Sequence, residues 1–116
     1  MVVDSLSATL AAFADPTRRS ILQRLTAGPL TVNELAKPFR ITQQAVSKHL
    51  AYLERAKLIE KKREGRRQIC KLRAIPFKKV ADWMEQYRRF WEQSFDRLET
   101  YLKELQEQEK KHGRKE

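Results

Sequence analysis

The chain has 116 residues, of which 41% are hydrophobic and 34% are charged, and its formal net charge is +10. These values suit one compact domain and argue against a chain that is disordered throughout. No apolar run approaches the roughly 20 residues needed to cross a bilayer, the start of the chain lacks a signal-peptide pattern, and a single cysteine excludes an internal disulfide. We therefore expect a cytoplasmic protein without membrane contact.

Most of the positive charge lies in the middle of the chain. Residues 1–39 carry net +1, residues 40–73 carry eleven cations and three acids for net +8, and residues 74–116 carry net +1. A local excess of this kind indicates a polyanionic partner more than a general need for solubility. Nucleic acid is the partner that we expect for this central basic block.

Two short helices are predicted at the start of the chain. Leu6, Leu10 and Phe13 recur at helical spacing and form the apolar stripe of the first. Asp15 can cap the second helix, and Pro16 suits its first position because no N–H is needed there. The second helix ends before a Gly-Pro pair.

The next segment predicts a helix-turn-helix. Thr31 and Glu34 are three residues apart and form a capping box for a short helix, which Pro38 ends. After a tight turn, Thr42 can cap a second helix that runs to about Ala56. Two helices joined by such a turn are typical of DNA-binding proteins.

The second of these helices has two unlike sides. Its apolar stripe, which faces the core, is formed by Val46, Leu50 and Leu53. Its other side carries Thr42, Gln43, Gln44, Ser47 and Lys48. A solvated face is usually rich in Glu and Lys, whereas amides, hydroxyls and a cation can bond base edges in the major groove of B-DNA. We predict that this face reads double-stranded DNA; the alternative is a solvated helix rich in amides.

Two strand-like segments follow, over about residues 58–63 and 66–72, around a turn that contains Gly65. The resulting hairpin makes the fold class mainly α with a small β-hairpin, which is a winged helix-turn-helix. The cations of this wing are predicted to contact the DNA backbone or minor groove, adding affinity more than sequence choice. They are Lys61, Lys62, Arg63, Arg66 and Arg67.

From Phe77 the spacing becomes helical again, with a heptad-like apolar seam roughly 45 Å long. Its members at intervals of seven are Phe77, Met84, Trp91, Leu98 and Leu105, and those three positions further on are Val80, Tyr87, Ser94 and Tyr101. Additional aromatic residues widen this apolar face. Packing against a second copy is the favoured interpretation, and closure over the protein's own core is the alternative.

Three segments carry a family resemblance. They are ADPTRRSILQRL (14–25), TVNELAKPFRITQQAVSKHLAYLERAKLI (31–59) and REGRRQICKL (63–72). Together they resemble the ArsR-type (ArsR/SmtB-like) winged helix-turn-helix repressors. The closing DWMEQYRRFW…FDRLETYL is similar to a subgroup with an extended aromatic last helix. The resemblance implies a homodimer built on the first and last helices, which represses by occupying a two-fold operator near a promoter.

The dimer that this resemblance implies would use apolar residues of the first and last helices. They are Leu6, Leu10, Phe13, Met84, Tyr87, Trp91, Leu98 and Tyr101. All of them fall within residues 1–106, which we predict to form the winged helix-turn-helix DNA-binding and dimerisation domain. The charged residues 107–116 are predicted to be a frayed tail.

The chain departs from metal-sensing relatives. Such relatives often carry a cysteine pair in the helix before the turn, where this chain reads ELAKPF (34–39), and its last helix has no histidine before His112. Cys70 has no Cys or His near it in sequence, and packing or a phosphate contact is the more common role for a histidine placed like His49. We expect no metal and no cofactor.

Two single positions raise further expectations. Lys57 stands where many relatives have glycine after the recognition helix, and lysine can adopt a left-handed cap there at a modest cost. Redox sensing by Cys70 is left open, because Lys71 and Arg73 could lower the pKa of its thiol.

No nucleophile motif, phosphate loop or paired carboxylates identifies an enzyme, so we predict a non-enzyme. The prediction is a homodimeric, sequence-specific regulator of transcription, a repressor that binds double-stranded DNA. One alternative is the same repressor released by an inducer that the sequence does not identify. The other is a winged-helix interaction module that binds RNA or an acidic protein.

Overall fold

The computed structural model describes residues 4–113. Its elements in chain order are α1 (Ser5–Phe13), α2 (Pro16–Leu25), β1 (Leu30–Thr31), α3 (Val32–Ala36), α4 (Gln43–Arg55), β2 (Ile59–Glu64), β3 (Arg67–Leu72), α5 (Ala74–Glu85) and α6 (Arg88–Gly113). The prediction of a mainly α fold is confirmed. None of these helices is both long and apolar enough to cross a membrane.

The chain divides into two compact units, whose boundary lies between Ala81 and Asp82. The first unit contains the helix-turn-helix and the wing, and the second contains α6 and the end of α5. That both belong to one domain of residues 1–106 stays a prediction.

Side-chain caps fix where the helices of the first unit begin. The Asp15 carboxylate accepts a hydrogen bond from the Arg18 N–H at 2.9 Å and starts α2. In the predicted capping box, Thr31 Oγ1 accepts from the Glu34 N–H at 3.1 Å, and Glu34 Oε1 accepts from the Thr31 N–H at 3.4 Å. The Thr42 side chain caps α4. Because the first turn of a helix leaves N–H groups without partners, each cap contributes about 1 kcal/mol, and the predicted starts are confirmed.

The core of the first unit lies against one side of α4. Val46, Leu50 and Leu53 are fully buried there, as their spacing predicted. They pack with buried residues of the neighbouring helices and the sheet, namely Ile21, Leu22, Leu25, Leu35, Leu58, Ile59 and Cys70. Because the apolar stripe fixes the rotation of α4 about its axis, the polar stripe has to face away from the core.

Arginines near the start of the chain close the ends of two helices. Arg18 donates from Nε to the Ala12 carbonyl oxygen at 2.9 Å, and its guanidinium lies 4.1 Å from the centre of the Tyr52 ring. Arg24 donates to the Leu35 carbonyl oxygen at 3.0 Å. Carbonyls in the last turn lack partners within the helix, and a cation there also favours the helix dipole. These arginines are therefore engaged in structural roles, in contrast to the wing cations.

The wing is part of a three-stranded antiparallel sheet of order β1-β3-β2. β2 and β3 pair along their full length, from Ile59 opposite Leu72 to Glu64 opposite Arg67. The turn between them contains Gly65, whose φ of 62° favours glycine. The prediction of a hairpin alone missed β1, because a strand of two residues is too short to produce an alternating pattern.

Lys57 ends α4 in the left-handed region, with a φ of 62°. The Leu58 N–H donates to the Leu53 carbonyl and the Lys57 N–H donates to the Glu54 carbonyl, each at 3.0 Å, which is the Schellman arrangement. Leu53 and Leu58 are both fully buried and supply the apolar contact that accompanies this motif. The left-handed cap expected at Lys57 is confirmed.

Replacing Lys57 by glycine is expected to raise the free energy of unfolding by about 0.5–1 kcal/mol. The left-handed conformation costs a non-glycine residue roughly 1–2 kcal/mol, and the added freedom of a glycine in the unfolded chain offsets about half of that relief. Urea unfolding measures the change. Arg55→Gly, two residues earlier in helical conformation, is the matched control and should lower stability by about 1 kcal/mol. A destabilised Lys57→Gly protein would rule out backbone strain at this position.

The apolar seam from Phe77 onward was predicted as one stripe, and this is wrong because it lies on two helices. α5 ends at Glu85 and α6 begins at Arg88, and between them the Tyr87 N–H donates to the Met84 carbonyl at 2.9 Å in a tight turn. An i→i+3 bond of this kind tightens the end of a helix. The seven-residue spacing of apolar residues continues across this break, so the sequence pattern does not show that the helix ends. Such spacing indicates which side of a helix is apolar, but it does not indicate whether the backbone hydrogen bonds continue from one turn to the next.

α6 exposes its apolar side along its length. Among residues 88–113, all of which the structure describes, none is buried. The large apolar residues exposed on α6 are Phe90, Phe95, Leu98, Tyr101, Leu102 and Leu105. The helix extends through Gly113, so the described part of the predicted tail is helical; residues 114–116 of that tail lie outside the described residues.

Candidate nucleic-acid interface

The helix face predicted to read DNA is exposed. All five of its polar side chains are exposed: Thr42, Gln43, Gln44, Ser47 and Lys48. Their exposure follows from the burial of the opposite stripe, since positions three and four apart share one side of a helix. The surface therefore offers amide, hydroxyl and ammonium groups, which can donate to or accept from base edges.

Two of these five side chains already have a partner within the protein. Thr42 Oγ1 accepts from the Ala45 N–H at 3.1 Å, which leaves its hydroxyl hydrogen available for a second bond. Gln43 donates from Nε2 to Oδ1 of Asn33 on α3. Thr42 consequently serves as the N-cap of α4, and the Gln43 side chain is hydrogen-bonded to α3, the preceding helix of the helix-turn-helix.

The wing cations are divided between the two faces of the sheet. Along β2 the side chains alternate between the faces, so Lys61 and Arg63 share one face and Lys62 lies on the other. Arg63, Arg66 and Arg67 line a cleft against α3 and α4. Lys62 lies on the other face, beside two glutamates, and Lys61 is half-buried. The structure brings the three wing arginines together at the cleft, places Lys61 further along the same face as Arg63, and leaves Lys62 on the opposite face.

The cleft joins the recognition helix to the wing. It has a volume of about 300 Å³ and is lined by Thr31, Val32, Asn33, Gln43, Arg63, Arg66, Arg67 and Gln68. The lining contains three guanidinium groups, three side-chain amides and no carboxylate. Among residues 4–113, no acid forms an ion pair with these three arginines. Uncompensated guanidinium and amide donors at this density suit a phosphate-bearing strand.

Asn33 and Gln68 also line this cleft, and neither was among the predicted DNA-binding residues. Asn33 lies within the capping box formed by Thr31 and Glu34, and the sequence pattern there indicates a helix start and no separate role for the Asn33 side chain. Gln68 lies two residues before the buried Cys70 and therefore on the same face of β3. Strand alternation was the signal that would have found Gln68, whereas the position of Asn33 depends on how α3 packs against α4.

A second groove lies along α4, lined in part by Arg18, Lys48 and His49. The Nδ1 atom of His49 is 3.9 Å from Oδ2 of Asp15, so this histidine faces the carboxylate that caps α2. Within residues 4–113, no three His, Cys, Asp or Glu side chains come together as a set that could hold a metal ion. His49 thus lies half-buried beside the Asp15 carboxylate in the first unit.

Cys70 lies fully buried on β3. Burial raises the pKa of its thiol, a nearby Lys61 opposes the rise, and Glu54 adds to it. The expectation that Lys71 and Arg73 lower this pKa is wrong: Lys71, as the adjacent strand residue, faces the opposite side of the sheet, and Arg73 lies beyond the end of β3. Since the thiolate is the reactive form, a raised pKa makes Cys70 a core residue of low reactivity.

The helix-turn-helix, the exposed polar face of α4 and the basic wing define a winged helix-turn-helix protein. A family described as a helix-turn-helix domain matches residues 13–62. The chain is 44% identical over 61 residues to the HTH-type transcriptional regulator Rv2034 of Mycobacterium tuberculosis, a match that covers 53% of this chain and 57% of that regulator. It is 34% identical over 73 residues to the transcriptional repressor SdpR of Bacillus subtilis, which covers 63% of this chain and 81% of SdpR.

Solved structures give the same class. A crystal structure of an ArsR family transcriptional regulator matches with a TM-score of 0.71 and 39% identity, covering 77% of this chain and 98% of that one. HlyU from Vibrio cholerae matches with a TM-score of 0.60 and 29% identity, covering 75% and 91%. The chain belongs to the ArsR family of helix-turn-helix transcription regulators, and the resemblance drawn from its sequence is confirmed.

Proposed function

We propose that this protein is a homodimeric repressor that binds double-stranded DNA sequence-specifically at a two-fold operator. The observation that carries the proposal is the exposed amide- and hydroxyl-bearing face of α4, next to a cleft rimmed by three arginines. Base edges require matched donors and acceptors, and the backbone requires cations. This surface offers both within the first unit. Repression is preferred to activation because a similar protein, SdpR, is named a transcriptional repressor.

In this proposal, the first two turns of α4 lie in the major groove. Gln44 can bond adenine through both ends of its amide, Ser47 can pair with several bases, and Lys48 can reach guanine or phosphate. Arg66 and Arg67 of the wing hold the adjacent backbone. Specificity then comes from α4 and salt-sensitive affinity comes from the wing.

A second copy of the chain is the proposed partner of α6. Its exposed aromatic and aliphatic residues lie together on one side of the helix, and contiguous exposed apolar surface is typical of an interaction site. Leu6, Leu10 and Phe13 of α1 are only half-buried and can add to the interface. A dimer places two recognition helices about 34 Å apart, so that they enter successive major grooves of a two-fold site.

Replacing Gln44 by alanine is expected to weaken operator binding about 5- to 100-fold and to leave binding to random DNA nearly unchanged, because a bidentate amide–base pair carries about 1–3 kcal/mol of discrimination. Selection from a random duplex library supplies the operator, and fluorescence anisotropy measures both affinities. Gln23→Ala, which removes an exposed amide from α2, is the control and should change neither. An equal loss of affinity for operator and for random DNA would show that Gln44 does not contribute to sequence recognition.

Competition separates the repressor from the two alternatives. Labelled operator is mixed with unlabelled duplex, structured RNA or an acidic peptide, and only duplex of the selected sequence should displace it at low excess. Stronger displacement by RNA or peptide would favour the interaction module. Metal ions, thiol oxidants and small molecules added to the same assay test for an inducer, which should release the operator.

A further inference from the structure

Asn33 and Gln43 are joined side chain to side chain on the wall of the cleft. Nε2 of Gln43 donates to Oδ1 of Asn33. The two residues belong to different helices, since Asn33 is the second residue of α3 and Gln43 is the first residue of α4. Both side chains are exposed, so the bond is not needed to satisfy buried polar groups. It lies at the edge of the face that the proposed function assigns to DNA.

We infer that Asn33 is a positioning residue that sets the base preference of Gln43, an inference that rests on the proposed function. A primary amide has an NH2 group that donates and a carbonyl oxygen that accepts. Because Oδ1 of Asn33 accepts from one of the two N–H groups of Gln43, this bond favours one orientation of the amide, and Oε1 and the second N–H remain available as one acceptor and one donor. Bases that offer an amino group in the major groove are cytosine, through N4, and adenine, through N6. Gln43 therefore prefers a base with an amino group for Oε1, and adenine above cytosine, because adenine N7 can also accept from the second N–H; guanine and thymine offer Oε1 no amino group in the major groove.

Holding the amide also changes how sharply Gln43 can discriminate. An exposed glutamine that is not held samples several rotamers, and both orientations of its amide are open to it. Such a side chain can turn to suit a donor or an acceptor on the base. The bond to Asn33 restricts this freedom in the unbound protein, so the entropy cost of ordering Gln43 on DNA binding is smaller. The three arginines across the cleft attract the backbone and bring a base edge to the held amide.

The test compares the DNA sequences selected from a random duplex library by the wild-type protein, Asn33→Ala and Asn33→Asp. Asn33→Ala is expected to relax the preference at one base of each half-site by about five-fold or more. Its salt dependence should be unchanged, because no charge is removed. Asn33→Asp retains an acceptor oxygen for Gln43 and is expected to keep the base preference, although its overall affinity falls because a negative charge now lies beside the cleft.

A double variant shows whether Asn33 acts through Gln43. Adding Asn33→Ala to a Gln43→Ala protein should cause no further change in base preference, whereas an additional change would overturn the inference. An unchanged preference in Asn33→Ala would also overturn it, as would loss of the preference in Asn33→Asp. Asn33 is exposed, so each variant should keep the thermal midpoint of the wild type. A wild-type protein that selects no sequence would end both proposals, while a selected operator with an unaltered Asn33→Ala profile ends only this one.

Discussion

Replacing Arg66 and Arg67 together by alanine is expected to lower affinity for the operator and for random duplex DNA by the same factor, on the order of 10- to 100-fold per protomer at physiological salt. Both guanidinium groups line the cleft beside α4, where no acid among the described residues pairs with them. Phosphate contacts are made to any sequence, so their loss does not distinguish one DNA from another.

The same variant should flatten the dependence of affinity on salt. Each phosphate contact releases about one counterion, so the slope of log affinity against log salt should fall by roughly two units per protomer. Titrations of operator and random DNA at several salt concentrations measure this slope. An undiminished slope would show that these arginines do not contact phosphates, and a loss confined to the operator would make them base-reading residues.

The matched control removes the same two charges from the opposite face of the sheet. Lys62 and Lys71 line a separate groove on that face. Lys62→Ala with Lys71→Ala lowers the net charge as much as the arginine pair does, but it should change affinity and slope much less. If the two double variants behave alike, overall charge and not the cleft controls binding.

Replacing Leu98 and Tyr101 together by glutamate is expected to convert the proposed homodimer to monomer and to weaken operator binding by on the order of 100-fold or more. These residues are 52% and 57% exposed on α6, three positions apart and thus on the same side. Two carboxylates would have to be buried in an apolar interface without partners, which is costly. A monomer engages one half-site only and loses the gain from binding both at once.

Sedimentation velocity with and without DNA measures this change. Gln93→Glu with Thr100→Glu adds the same charge to α6 at two exposed positions on the side away from the seam, and it should leave dimer and operator affinity intact. Dimers that persist in the Leu98→Glu, Tyr101→Glu protein would exclude this side of α6 as the interface. Monomers that still bind the operator with full affinity would contradict the two-fold site.

Local rules made much of the fold predictable. The caps at Asp15, Thr31 and Thr42, and the buried stripe of α4, follow from neighbours within four positions, and all agree with the structure. The left-handed end of α4 at Lys57 is likewise encoded within a few residues. The exposed polar face of the recognition helix was predictable for the same reason, since burial of one stripe exposes the other.

The predictions that failed concern features that depend on tertiary contacts or on backbone hydrogen bonds, which the spacing of residues along the chain does not show. The break before α6 leaves the seven-residue apolar spacing intact, and β1 exists only because β3 lies beside it. Cys70 was interpreted from its neighbours in sequence, whereas its thiol responds to burial in the core. Charge counting likewise treated the five wing cations as one group, whereas only the three arginines line the cleft and Lys62 lies on the opposite face of the sheet.

The sequence by itself determined that a polar recognition helix follows a capped helix, that a basic wing follows it, and that the excess charge lies there, because each of these depends on residues close together in the chain. Only the tertiary structure decided that Arg63 shares a cleft with Gln43, and that Asn33 holds that glutamine. These pairs are ten or more residues apart, and their distance is fixed by how α3, α4 and the sheet pack on one core.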